Sequence, residues 1–154
     1  VRLAPEFPRA YNFRGLAHFR TGDAERAAED FSSAIRLDPQ YVDALNNRGN
    51  ARSALKDYAG AVEDYSLAIA LAPDLAEAWS NLGIAYAMTG EDDRALEAFS
   101  RAIVINPAHG QAYFNRSAVE GKQGHFAAAL KDALKARQLG VPVAPQYISD
   151  LQSL

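Results

Sequence analysis

The chain contains no cysteine, three histidines, one methionine and one tryptophan among its 154 residues. Without cysteine there can be no disulfide framework, thiolate zinc site or cysteine nucleophile. Long apolar runs are also missing, and none approaches the roughly 18 residues that a membrane-crossing helix needs. Positive charge is scarce as well. The net charge is −3, with 8 basic and 7 acidic residues in 1–52, 3 and 9 in 53–107, and 5 and 3 in 108–154. No segment has the dense positive charge that releases counterions from phosphates, so nucleic acid is not an expected partner.

The chemistry of catalysis is equally thin. His18, His109 and His125 lie in three different contexts and form no His-x-x-x-His pair, so no metal site is expected. His18 falls at a packing position, while His109 and His125 stand near loops and helix starts and are expected to be exposed. The glycines form no phosphate-binding loop. Glu29-Asp30, Glu63-Asp64 and Asp92-Asp93 are sequence neighbours that point to different sides of a helix, and they read as surface charge. In the same way Asp57, Asp64 and Glu91 read as a solvated outer face. No catalytic residue, cofactor or enzyme activity is expected. The compartment stays open, with the cytoplasm as the default.

What the chain does have is a period. With 49% hydrophobic and 23% charged residues it can build a core, and the apolar positions recur every 34 residues. Pro5, Pro39, Pro73 and Pro107 keep that spacing, as do Ala27, Ala61, Ala95 and Ala129. Two more alanine series, from Ala10 to Ala112 and from Ala34 to Ala136, share the register. Gly15, Gly49 and Gly83 follow it before Ser117, and Phe31, Tyr65 and Phe99 before Ala133. Such self-similarity marks stacked supersecondary units. The units are 8–41, 42–75, 76–109 and 110–142. Each reads as two helices: in the third, Ala76–Met88 and Asp92–Ile105, separated by Thr89-Gly90. Gly22, Gly90 and Gly124 sit where a left-handed C-terminal cap belongs. Asp23, Asp57 and Glu91 put negative charge at the start of the second helices, and the periodic prolines end them.

The third unit, Trp79-x-x-Leu82-Gly83-x-x-Tyr86 followed by Ala95, Phe99, Ala102 and Pro107, resembles the tetratricopeptide repeat signature. The resemblance covers about residues 8–141. It implies an all-α fold, a right-handed α-solenoid of four helix-turn-helix units. The other units depart from the pattern: Arg14, Arg48 and Arg116 stand in the place of Leu82, and His18, Arg52 and Glu120 in that of Tyr86. The fourth unit, with Ser117, Ala133 and Val141 replacing glycine, aromatic and proline, is expected to pack less well. Residues 1–7 read as the tail of a preceding repeat, because Val1-Arg2-Leu3-Ala4-Pro5 matches Ile35-Arg36-Leu37-Asp38-Pro39; the chain then reads as a fragment of a longer repeat protein. Residues 143–154 read as a capping helix, with Tyr147, Ile148, Leu151 and Leu154 at helical spacing; the alternative is a disordered tail.

The family resemblance also implies a function. First helices of successive units line a concave groove that holds an extended peptide or partner helix. Helical periodicity assigns to that face Asn12, Asn46, Asn47, Asn50, Asn81, Ile84, Met88, Gln111, Phe114 and Asn115. Asparagine is a mediocre helix former, yet Asn47, Asn81 and Asn115 recur at the repeat period. Their amides carry both donor and acceptor and resemble the asparagine ladder of some family grooves; bonding to neighbouring helices or water is the alternative. Ile84, Met88 and Phe114 add an apolar patch, either open to a ligand or buried between helices. Chaperone-binding members capture a carboxylate with lysines and an arginine. The matching positions here hold Asn46, Asn50, Asn81, Gln111 and Asn115, so the charge-assisted bonds are lost and that specificity is not expected. The expected partner is a protein or peptide. A structural module that builds a homo-oligomer through solenoid ends or faces is the alternative.

Overall fold

The computed structural model describes residues 7–153, which form nine helices and no strand. The helices are α1 (Pro8–Arg20), α2 (Ala24–Leu37), α3 (Val42–Ala54), α4 (Tyr58–Leu71), α5 (Ala76–Thr89), α6 (Asp92–Ile105), α7 (Gly110–Lys122), α8 (Phe126–Gln138) and α9 (Pro145–Ser153). The chain divides into two compact units, Val1–Pro73 and Asp74–Leu154. The first contains the hairpins α1–α2 and α3–α4. The second contains α5–α6 and α7–α8, with α9 packed on α8. Of the tail of a preceding repeat expected over residues 1–7, residues 1–6 lie outside the described residues, as does the final Leu154. Pro145–Ser153 is helical rather than a disordered tail, and it buries Ile148 and Leu151.

Local chemistry sets the helix ends. Asp23 Oδ1 accepts from the Arg26 amide at 3.1 Å and Asp57 Oδ1 from the Gly60 amide at 3.0 Å, satisfying donors that the first turn leaves open. The turns inside the hairpins need a left-handed residue. Gly90 supplies it at φ +82°, whereas the same place in the second repeat holds Lys56 at φ +63°, where a β-carbon is disfavoured.

Small residues let the helices approach. A β-carbon added at Gly15, Gly49 or Gly83 would lie 2.7, 2.5 or 2.6 Å from the ring of Phe31, Tyr65 or Phe99. Each ring therefore lies directly against bare backbone. Ala27, Ala61, Ala95 and Ala129 are fully buried on the second helices. Truncating one of these rings would cost about 3–5 kcal/mol through lost burial and the cavity left behind.

Two sequence expectations are corrected here. The first concerns the acidic pairs. Glu29 and Glu63 are exposed, but Asp30 and Asp64 are 5% and 0% exposed. These buried carboxylates receive the guanidinium groups that replace leucine. Arg14 donates to Asp30 at 2.7 and 2.5 Å, Arg48 to Asp64 at 2.9 and 2.6 Å, and Arg116 to Asp132 at 2.6 and 3.0 Å. Each is a two-pronged pair between the two helices of one hairpin. Arg48 also reaches Ser32 Oγ at 3.3 Å and Arg116 reaches Ser100 Oγ at 2.9 Å, tying each hairpin to the preceding helix. The aspartate hydrogen bond is the main reason the Arg14 and Arg116 side chains hold their protons more tightly than a free arginine. In the third repeat Leu82 and Ala98 occupy these two positions, so an apolar pair stands where the others have a charged one.

The second correction concerns the fourth repeat. Ser117, Ala129, Ala133 and Ala136 are all fully buried, so the substituted positions still lie in the core of this hairpin. With Ala133 in the aromatic's place, Ser117 has room for a side chain, and its hydroxyl lies 2.8 Å from the Tyr147 hydroxyl of α9. Tyr147, Tyr113 and Phe126 pack against the same cluster.

Candidate functional site

The first helices carry a stripe of amides, and the structure sorts it by depth. Asn12 and Asn46, expected on a ligand-facing surface, are 4% and 7% exposed. Both lie three residues before the glycines of closest helix approach, Gly15 and Gly49, and so share the packed stripe. Asn12 Nδ2 donates to the Tyr41 hydroxyl at 3.3 Å, and Asn12 Oδ1 accepts from Asn47 Nδ2 at 3.0 Å. A buried amide thereby orients a more accessible one. Asn50 has a different task. Its Oδ1 accepts from the Tyr65 hydroxyl at 2.8 Å, a bond needed because Tyr65 is only 2% exposed.

In the second unit the stripe is more open. Ile84 is 37% and Met88 57% exposed, one helical turn apart on α5, with half-buried Asn81 a turn earlier. On the neighbouring α7, exposed Gln111 donates from Nε2 to Asn115 Oδ1 at 3.0 Å. Phe114 and Met88 divide the alternatives between them. Met88 faces solvent, whereas Phe114 packs edge-on against Tyr147, with ring centroids 6.2 Å apart and planes at 72°. Asn47, Asn81 and Asn115 are all half-buried.

Two polar side chains at the end of α7 are held by aspartates of α6. Lys122 Nζ donates to Asp92 Oδ1 at 2.9 Å, and Gln123 Nε2 to Asp93 Oδ1 at 3.0 Å. His18 Nε2 lies 3.9 Å from Asp30 Oδ2 on the packed side of α1. His109 is half-buried rather than exposed, because its ring nitrogen accepts from the Ala112 amide at 3.4 Å and caps α7. Burial and the nearby Asp132 carboxylate raise the Glu120 pKa above its ordinary value, and Glu120 Oε2 is buried without a hydrogen-bond partner. Among the described residues no group of His, Asp and Glu is placed to hold a metal, and no helix is long and apolar enough to cross a membrane.

Residues 15–56 and 50–90 match a family model described as TPR repeat, and residues 76–109 match one described as Tetratricopeptide repeat. A solved structure of MamA is 27% identical, with a TM-score of 0.83 over 88% of this chain and 79% of its own. The second TPR domain of human RPAP3, solved with the HSP70 peptide SGPTIEEVD, is 26% identical, with a TM-score of 0.70 over 73% of this chain and 98% of its own. The first TPR of Spaghetti (RPAP3), bound to the HSP90 peptide SRMEEVD, shares the fold at 21% identity, with a TM-score of 0.75 over 80% and 98% of the two chains. Among curated proteins none matches the sequence. The chain is an all-α member of the tetratricopeptide repeat family.

Proposed function

We infer that the chain is a protein-interaction scaffold whose first helices hold an extended peptide. In the second unit the contact residues are Asn81, Ile84, Met88, Gln111 and Asn115. In the first unit Asn47 presents the equivalent amide, with Asn12 behind it. The carrying observation is the pairing of chemistries on α5: accessible Ile84 and Met88 beside a half-buried asparagine. Ile84 and Met88 can receive one or two apolar anchors, and the exposed Gln111 amide on the neighbouring α7 can pair with a peptide backbone. RPAP3's ability to hold chaperone peptides supports a peptide ligand in general. The neutral side chains at the positions matching a carboxylate clamp favour an internal segment over a charged C-terminus.

The test is an affinity capture from a lysate of the source cells, comparing the native chain with an Asn47→Ala, Asn81→Ala, Asn115→Ala variant of verified helicity. Partners retained by the native chain and lost by the variant support the reading. Equal retention by both chains overturns it.

Self-association is a second reading, favoured by the 62% and 67% exposure of Phe7 and Phe13 at α1. Sedimentation at increasing concentration decides it. A constant monomer mass removes it.

A further inference from the structure

The second unit also holds a groove whose lining includes none of the amide-stripe residues Asn81, Ile84, Met88, Gln111 and Asn115. It has a volume of about 680 Å³ and runs along α8, facing α6 and α7. Ile103, Tyr113, Leu130 and Leu134 line it with apolar surface, and Lys131 and Lys135 also line it. Leu130 and Leu134 are one helical turn apart, as are the two lysines, so α8 presents parallel apolar and cationic stripes. The opposite side of α8 is already committed to the core through Ala129, Ala133 and Ala136.

The repeat pattern shows that this face is particular to the fourth unit. The position of Lys131 is Glu29, Glu63 and Glu97 in the other three repeats, and that of Leu134 is Ser32, Ser66 and Ser100. An acidic, hydroxyl-bearing outer face has become basic and apolar. Stability does not explain the change, since Leu134 remains 37% exposed. The charges are available too. Asp132 is occupied by Arg116, and Lys135 Nζ bonds only the neutral Gln138 Oε1, at 3.3 Å. Neither Lys131 nor Lys135 belongs to an ion pair among the described residues.

We propose that this α6–α8 groove docks an amphipathic helix of a partner protein, with leucine-like side chains on Ile103, Leu130 and Leu134 and carboxylates on Lys131 and Lys135. The shape favours a helix: Leu130 to Gln138 extends about 12 Å, or two turns, and a trough of that length receives anchors at i and i+4. The charge selects its sign, because the groove supplies two lysines outside any ion pair, Lys131 having only a longer-range attraction to the half-buried Glu120.

The probe is a fluorescent helical peptide of about 20 residues, long enough to hold a helix, built from leucine, alanine and glutamate. Its counterpart has every glutamate replaced by lysine. Anisotropy is measured against the full chain, the Lys131→Glu, Lys135→Glu variant, the Leu134→Ser variant and the triple asparagine variant. Lys131→Glu and Leu134→Ser install residues that the other three repeats already hold, so the fold is retained, as circular dichroism verifies. The acidic peptide is expected to bind more weakly as salt rises. Charge reversal should weaken it roughly tenfold and transfer preference to the basic peptide. Leu134→Ser should weaken it as well, while the asparagine variant should bind as the native chain does. Absence of binding, equal binding of both peptides, or loss only in the asparagine variant overturns the proposal. Capture of phosphatidylserine vesicles in place of the peptide, abolished by the same charge reversal, overturns it in favour of a membrane surface.

Discussion

The Ser117 hydroxyl of α7 lies 2.8 Å from the Tyr147 hydroxyl of α9, and this bond joins the last hairpin to the helix that packs on it. Ser117 is fully buried, so its hydroxyl depends on that partner. Tyr147→Phe should cost about 1 kcal/mol by leaving it unsatisfied. Tyr147→Ala should cost about 2–3 kcal/mol, because the half-buried ring also packs against Phe114. Urea denaturation reads both. An unchanged midpoint for Tyr147→Ala would mean that α9 does not support the repeat.

The Arg48–Asp64 pair gives a sharper test, because the third repeat already supplies its apolar replacement. Asp64→Ala alone leaves a guanidinium only 17% exposed without its carboxylate and should cost about 3–5 kcal/mol. Arg48→Leu combined with Asp64→Ala reproduces the Leu82 and Ala98 pair and should come within about 2 kcal/mol of the native chain. Arg52 also donates to Asp64 Oδ2 at 3.0 Å and loses that bond in both variants, but it keeps the Gly60 carbonyl at 3.0 Å and the Asp57 carboxylate at 3.6 Å. A double variant as unstable as the single one would show that the pair is not interchangeable with apolar packing.

Glu120 makes stability depend on pH. Burial first, and then the Asp132 carboxylate, raise its folded pKa above the ordinary 4.5. A folded state that holds the proton more tightly is favoured below the ordinary value, and this contribution is lost as pH rises through the raised one. Glu120→Gln should therefore match the native chain in acid and become more stable towards neutral pH. The gain should stay below about 1 kcal/mol, since the side chain is only partly buried. Denaturation midpoints across that range test the sign. A variant that is less stable at neutral pH would mean that the carboxylate is satisfied.

Much of the fold was legible because each repeat poses the same packing problem and answers it at the same positions. The glycine, alanine and aromatic series could be read from spacing alone. The Arg–Asp pairs were missed because their partners are 16 residues apart on facing helices, beyond the reach of single-helix periodicity. Their trace in the sequence is the joint switch to Leu82 and Ala98 in one repeat. The first-helix face was legible only in outline. An apolar or polar stripe spans a broad arc, and the neighbouring helix covers one edge of it, which is where Asn12 and Asn46 fall. Ser117 and Ala133 looked like weakened packing because Tyr147, on α9, lies outside the repeat that it completes.

The peptide-binding reading is tested most directly by hydrogen–deuterium exchange of the full chain with and without a captured partner. Protection is expected on α3, α5 and α7, in the peptides that contain Asn47, Asn81, Ile84, Met88 and Asn115. Protection confined to α6 and α8, or to α1 and α9, with those peptides unchanged, would contradict it.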